Sequence, residues 1–230
     1  MKHTVIVGGS SGIGLSAARH LLAVGHRVTI TGRSTARLAE AARAVPGVAP
    51  VVMDATAPDF STIGAHDNLV LALGSGKGMG MLADVKLADI RAGFEEKVFA
   101  HIATAQAALP HLSKSGSVTF VSAVSAQAAM PGTAGIGAAN AAVAALVPIL
   151  AAELKPVRVN AVSPGVIDTP WWDAVPADQK ATMFRDLAGK TPVGRVGTAD
   201  DVAQAIWFLV ECGFVSGENV IVDGGLRLTL

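Results

Sequence analysis

Short runs of β-branched and apolar residues alternate with helix-period segments from one end of this chain to the other. The runs predicted as strands are Thr4–Val7, Arg27–Thr31, Ala49–Met53, Leu69–Leu73, Ser117–Ser122, Val157–Ala161 and Asn219–Val222. Helical patterns fall near Ile13–Val24, Thr35–Ala44, Leu87–Leu112, Gly135–Leu154 and Ala199–Cys212, with Ser34 and Thr198 placed as N-caps. Strands that are apolar on both faces, each followed by a helix, bury themselves as a parallel sheet covered on both sides. The fold class is therefore α/β. At 230 residues and 51% hydrophobic composition the chain can fill one core but not two. No linker, repeat or charge block divides it, so a single domain over 1–230 is expected. The one long excursion, 169–195, follows a sheet strand, where long loops usually carry function.

Charge excludes several partners. Eighteen Lys and Arg balance eighteen Asp and Glu, so no basic field exists to hold nucleic acid or an anionic membrane. Gly135 to Ala152 is apolar enough to suggest a membrane span, but alanine dominates it, Pro148 interrupts it and no basic cluster flanks it. A buried helix fits better, and its small side chains also suit a subunit interface. Cys212 stands alone and cannot form an internal disulfide, which points to a reducing, cytoplasmic setting. Met1-Lys2-His3-Thr4 runs directly into Val5-Ile6-Val7, without the pattern of a signal peptide. No Cys and His are spaced as metal ligands.

The first strand runs into Gly8-Gly9-Ser10-Ser11-Gly12-Ile13-Gly14 and then a helix. Glycines there allow a tight turn and close approach of a pyrophosphate, which the helix N-terminus would face with free N–H groups. With the alternating pattern, this specifies a Rossmann-type doubly wound parallel sheet of about seven strands. After the second strand, where a carboxylate would hold the ribose of NAD, the chain has Thr31-Gly32-Arg33-Ser34. A guanidinium at Arg33 suits a 2′-phosphate, so the expected cofactor is NADP(H). The competing reading of Arg33 is a solvated surface arginine.

These residues resemble the short-chain dehydrogenase/reductase family over nearly the whole chain. Val7 through Gly14 is similar to its Thr-Gly-x-x-x-Gly-x-Gly loop, with Val7 in place of the threonine. The resemblance implies that Asp54 contacts the adenine and that Gly74 ends a segment, Leu71-Ala72-Leu73-Gly74, where the family has Asn-Asn-Ala-Gly. It also implies that Pro164, Gly165, Ile167 and Thr169 meet the nicotinamide end, while Val222-Asp223-Gly224-Gly225 is similar to a C-terminal motif. Between Asp54 and Asn68 too few residues remain for the family's usual helix, so a turn is expected there. The resemblance further implies pairing of subunits through Leu87–Leu112 and Gly135–Leu154, as a homodimer or homotetramer.

The family's catalytic set is an asparagine, a serine and a Tyr-x-x-x-Lys pair. In the register of this match the serine falls on Ala123, the tyrosine on Ile136, the lysine on Asn140 and the asparagine on Lys97. No slip of alignment restores the tyrosine, because the chain contains none. Asparagine and lysine have exchanged places, so Lys97 can return an ammonium to the region from the opposite helix, with Asn140 facing it. The competing reading makes Lys97 part of a charged surface with Glu95 and Glu96, and Asn140 a buried polar residue. Ser125 and Thr133 are candidate replacement hydroxyls. Strand alternation turns Ser122 to the other face. His101 shares a face with Lys97 and reads as a packed histidine or a catalyst.

Met79, Met81, Met130, Trp171 and Trp172 suggest walls for a small apolar ligand, with 169–195 covering it; they read equally as core or subunit contact. Two functions remain open at this level. One is an NADP(H)-dependent oxidoreductase acting on an apolar carbonyl or alcohol through altered residues. The other is a non-catalytic NADP(H)-binding protein serving as scaffold, sensor or partner subunit.

Overall fold

The structure is a computed structural model that describes residues 1–230. Its first half holds β1 (His3–Val7), α1 (Gly12–Ala23), β2 (Arg27–Gly32), α2 (Thr35–Ala44), β3 (Val48–Val52) and β4 (His66–Leu71). The second half begins with α3 (Leu87–Phe94), α4 (Ala100–Ala108), β5 (Leu112–Val121), α5 (Ala134–Glu153), β6 (Arg158–Pro164) and β7 (Ile167–Asp168). It ends with α6 (Ala177–Lys190), β8 (Gly197–Thr198), α7 (Ala199–Glu211) and β9 (Asn219–Val222).

Seven strands form one parallel sheet in the order β3-β2-β1-β4-β5-β6-β9. The order reverses between β1 and β4, which opens a crevice at the carboxyl ends of those strands. Strand alternation divides the core in two. Ile6, Ile30 and Val70 face α1, α2 and α7, packing on Leu21, Leu38, Ile206 and Leu209. Val5, Val7, Leu69 and Phe120 face α4 and α5, packing on Val98, Ala108, Val143 and Val147. Each fully buried side chain of this kind contributes about 1.5–3 kcal/mol. The doubly wound α/β sheet read from the sequence is the one observed.

The caps hold as expected. Ser34 Oγ accepts from the Arg37 N–H at 3.3 Å, and Thr198 forms a reciprocal capping box with Asp201. Between Asp54 and His66 there is no helix. Phe60, 2% exposed, covers the sheet there instead.

Two elements differ from expectation. The segment Leu87–Leu112 is not one regular helix: a π-turn over Glu95–Phe99 separates α3 from α4, and Leu112 already opens β5. The excursion 169–195 contains helix α6, which has no buried residue. Its roots are joined by the short parallel pair β7–β8. Helix α5 is the one helix long and apolar enough to cross a membrane. Here it packs Val143 and Val147, both fully buried, into the core.

Candidate functional site

The crevice at the reversal point is a cavity of about 450 Å³. One end is built by the turn from β1 into α1. Gly8 and Gly12 lie at φ +81° and +51°, a region that favours glycine. A Cβ on Gly8 would stand 2.5 Å from the Ala72 carbonyl oxygen, and one on Gly14 would collide with the Gly8 carbonyl. Ser11 caps α1 in extended conformation without a side-chain hydrogen bond, and no acid occupies the first turn. The first N–H groups of α1 are thus left for an anion from outside, the condition a pyrophosphate meets. A dinucleotide therefore fits this loop.

Gly8, Ser11, Gly12, Ile13, Gly14, Gly74, Pro164, Gly165, Ile167 and Thr169 all line the cavity, as the sequence implied. Ser10, Arg33 and Asp54 do not. Asp54 Oδ1 accepts from the Thr56 N–H and hydroxyl at 2.9 and 2.8 Å, which holds its carboxyl below the ordinary range. The Arg33 charge adds to that lowering, so the guanidinium lies on the Asp54 side. The arginine that lines the cavity is Arg37, in the first turn of α2. Sequence reasoning passed over it, although its place in the first turn after the Ser34 cap, at the end of the second strand, was the available signal.

The other end is lined by Met79, Met130, Ile136, Trp171 and Trp172. Met81 does not contribute; it is 55% exposed outside the lining. Trp172 donates its indole N–H to the Ile167 carbonyl at 3.0 Å and meets Trp171 and Phe184 edge-on. Lys180 pairs with Asp168 at 2.8 Å, which ties α6 to β7. Helix α6 is thus held beside the cavity mouth by the aromatic pair and one ion pair.

Lys97 is the chemically distinctive side chain. It is 6% exposed and lines the cavity, so its assignment to a solvated surface patch with Glu95 and Glu96 is wrong. The π-turn lets consecutive helical segments change register, which carries Lys97 inward while Glu95 stays exposed. Lys97 Nζ donates to the carbonyls of Leu73 and Val121, each at 2.7 Å, where β4 and β5 end. Burial without a carboxylate partner pushes its amine down to about 7.

Asn140 is 2% exposed and lines the same cavity. Its amide donates to Ser125 Oγ at 3.1 Å and to the Ile136 carbonyl at 3.0 Å, while Oδ1 has no partner. Lys97 and Asn140 therefore meet one cavity from opposite helices but do not bond each other. Ala123 and Ile136 line it without any proton to offer. Ser125 and Thr133 also line it; the Thr133 hydroxyl is committed to the Met130 carbonyl at 2.7 Å. Ser122 turns away, as alternation requires, and donates to the Asn140 carbonyl at 2.8 Å. His101 is fully buried between the carbonyls of Lys97 and Leu71 and stacks on Phe120. Burial pushes its imidazole down to about 3, so it is a packed neutral ring.

A family model described as enoyl-(acyl carrier protein) reductase matches residues 7–227. The chain is 30% identical to a 3-oxoacyl-[acyl-carrier-protein] reductase of Bos taurus, covering 100% of this chain and 99% of that protein. It is 29% identical to carbonyl reductase family member 4 of Danio rerio, covering 98% of each. Among solved structures, a small-chain dehydrogenase in complex with NADPH superposes with TM-score 0.85 at 29% identity, covering 99% of each chain.

Proposed function

The chain belongs to the short-chain dehydrogenase/reductase family, and from that premise we propose that it is an NADP(H)-dependent oxidoreductase in which Lys97 carries the proton. The substrate proposed is a carbonyl compound, or the corresponding alcohol, with an apolar body. NADPH, when bound, supplies the hydride. The glycine loop, Arg37 and Arg33 would hold its phosphates, and Thr169 with Pro164-Gly165 its nicotinamide end.

One observation carries the catalytic reading. Two N–H bonds of Lys97 are taken by the Leu73 and Val121 carbonyls, which leaves the third valence of a tetrahedral nitrogen for the cavity that Lys97 lines. In the ammonium form that valence donates a proton to an oxygen gaining charge; in the amine form it accepts one. An amine near 7 holds both forms in balance at neutral pH, as a general acid–base requires. The walls beside the transfer are apolar, and Ser125, whose Oγ accepts from the Asn140 amide, keeps its own O–H free for a ligand.

The sign of the pH dependence follows. Reduction needs the protonated amine, so its rate should fall as pH rises through about 7, and alcohol oxidation should rise over the same interval. Lys97→Met keeps the bulk, removes the proton and should lower ketone reduction by about 10²-fold or more. NADPH absorbance followed across neutral pH in both directions measures this. Turnover that is indifferent to Lys97→Met would remove Lys97 from the mechanism. NADPH binding with no turnover on any carbonyl would favour the non-catalytic reading.

A further inference from the structure

The cavity lining holds three basic side chains, Arg37, Lys77 and Lys97, and no carboxylate. In a chain whose acids and bases balance, this is a local excess of positive charge. Arg37 belongs to the end where the phosphates would lie. Lys97 sits at the floor. Lys77 remains, on the loop that leads to Met79 and against α3, where a Cβ on Gly93 would come within 3.7 Å of Lys77 Cβ.

Neither lysine has a counter-ion. No carboxylate lies within ion-pair distance of Lys77 or Lys97. Glu96 does not line the cavity: its carboxylate accepts from Ser75 Oγ at 2.7 Å, and that hydroxyl in turn accepts from the Lys77 backbone N–H at 3.0 Å. Lys97 has only two neutral carbonyls around its nitrogen. Lys97 is buried at the floor, whereas Lys77 is exposed at the rim, where its ammonium is open to an incoming anion and no acid on the lining competes for it. The walls between are Met79, Met130, Ile136 and Trp171, which suit a hydrocarbon body and not a second polar group.

We infer that the ligand of this half of the cavity carries a carboxylate on its apolar body, received by Lys77 at the rim. One ammonium at the rim balances a single negative charge, which is the reason for a carboxylate in place of a phosphate dianion. The carbonyl end then lies toward Lys97, a placement that rests on the oxidoreductase reading above. The carboxylate assignment itself does not require turnover.

The test is calorimetric titration of the NADP⁺-saturated protein at low salt with hexanoate and with hexanamide, which match in shape and differ in charge. Hexanoate should bind about tenfold tighter or better, the scale of a charge-assisted contact. Lys77→Gln should abolish the preference and Lys77→Arg should keep most of it. Equal affinity of the two probes for the unmodified protein overturns the inference. So does a preference that survives Lys77→Gln, including one that Lys97→Met removes, since the anion would then sit at the floor. A matched assay with 5-oxohexanoate and its methyl ester separates the two proposals. An intact hexanoate preference without reduction of either ketone sinks the oxidoreductase reading alone.

Discussion

At the scale of residues, the sequence was most informative where it lacked something. The absence of tyrosine removes, without any structure, one member of the catalytic set that the resemblance implies, and Ala123 and Ile136 stand in the cavity wall. For Lys97 the sequence left two readings, since the motif register brings it to the site while a lysine after two glutamates reads as surface; the π-turn over Glu95–Phe99 decides between them by turning it inward. Arg33 and Arg37 divide along similar lines: the motif points to the first, while the geometry brings the second to the cavity. The resulting prediction is quantitative. The protein should bind NADPH more tightly than NADH by about 2 kcal/mol, within the range for hydrogen bonds to charged groups. Arg37→Ala should remove at least half of that gap, and the double change with Arg33→Ala nearly all of it. Titration of the four proteins with both cofactors decides this. A gap untouched by Arg37→Ala would return the phosphate to Arg33.

Elements were legible in proportion to how deeply they are buried. The central strands β1, β4 and β5 read correctly because apolar side chains on both faces leave no other packing. Their ends drifted by a few residues, as with β5 starting at Leu112, because strand termini are polar and carry no alternation. Helix α6 was missed as an element for the opposite reason. Pro176 precedes it, Asp178 sits in its first turn and Ala181, Phe184 and Ala188 recur at helical spacing, yet the stripe is made of one large side chain among alanines and none of its residues is buried. The same lack sets its dynamics. Against the core α7 has five buried residues and a capping box, whereas α6 is held by the edge-on contact of Trp172 with Phe184 and by the Lys180–Asp168 pair. Few buried contacts imply a low free energy of local opening. Amide hydrogen exchange should therefore be about tenfold or more faster across α6 than across α7, and Trp172→Ala should widen that difference. Equal protection of the two helices would mean that α6 is no mobile cover for the cavity.

For the whole molecule, one surface is unlike the rest. On α5, Ala138, Ala145, Ile149 and Ala152 recur at helical spacing on the exposed side, and Ile149 is 60% exposed. The stripe carries no charge, and small side chains let a second helix approach closely. Phe99, 52% exposed at the end of the π-turn, extends the apolar character of this half of the molecule. A chain with zero net charge has no general electrostatic repulsion to keep such a stripe apart from its copy. We therefore expect a homodimer, or a homotetramer built from it, in which α5 packs on its own symmetry mate. Because the buried face of α5 is Ala139, Val143 and Val147, a change at Ala145 leaves the fold's own core untouched. Ala145→Glu would place like charges opposite one another across the two-fold and should convert the assembly to folded monomers. Ala145→Gly, which keeps the close approach, should stay assembled. Light scattering at micromolar concentration reads both outcomes. A monomeric unmodified protein would reject the interface, and an oligomer indifferent to Ala145→Glu would move it to another face.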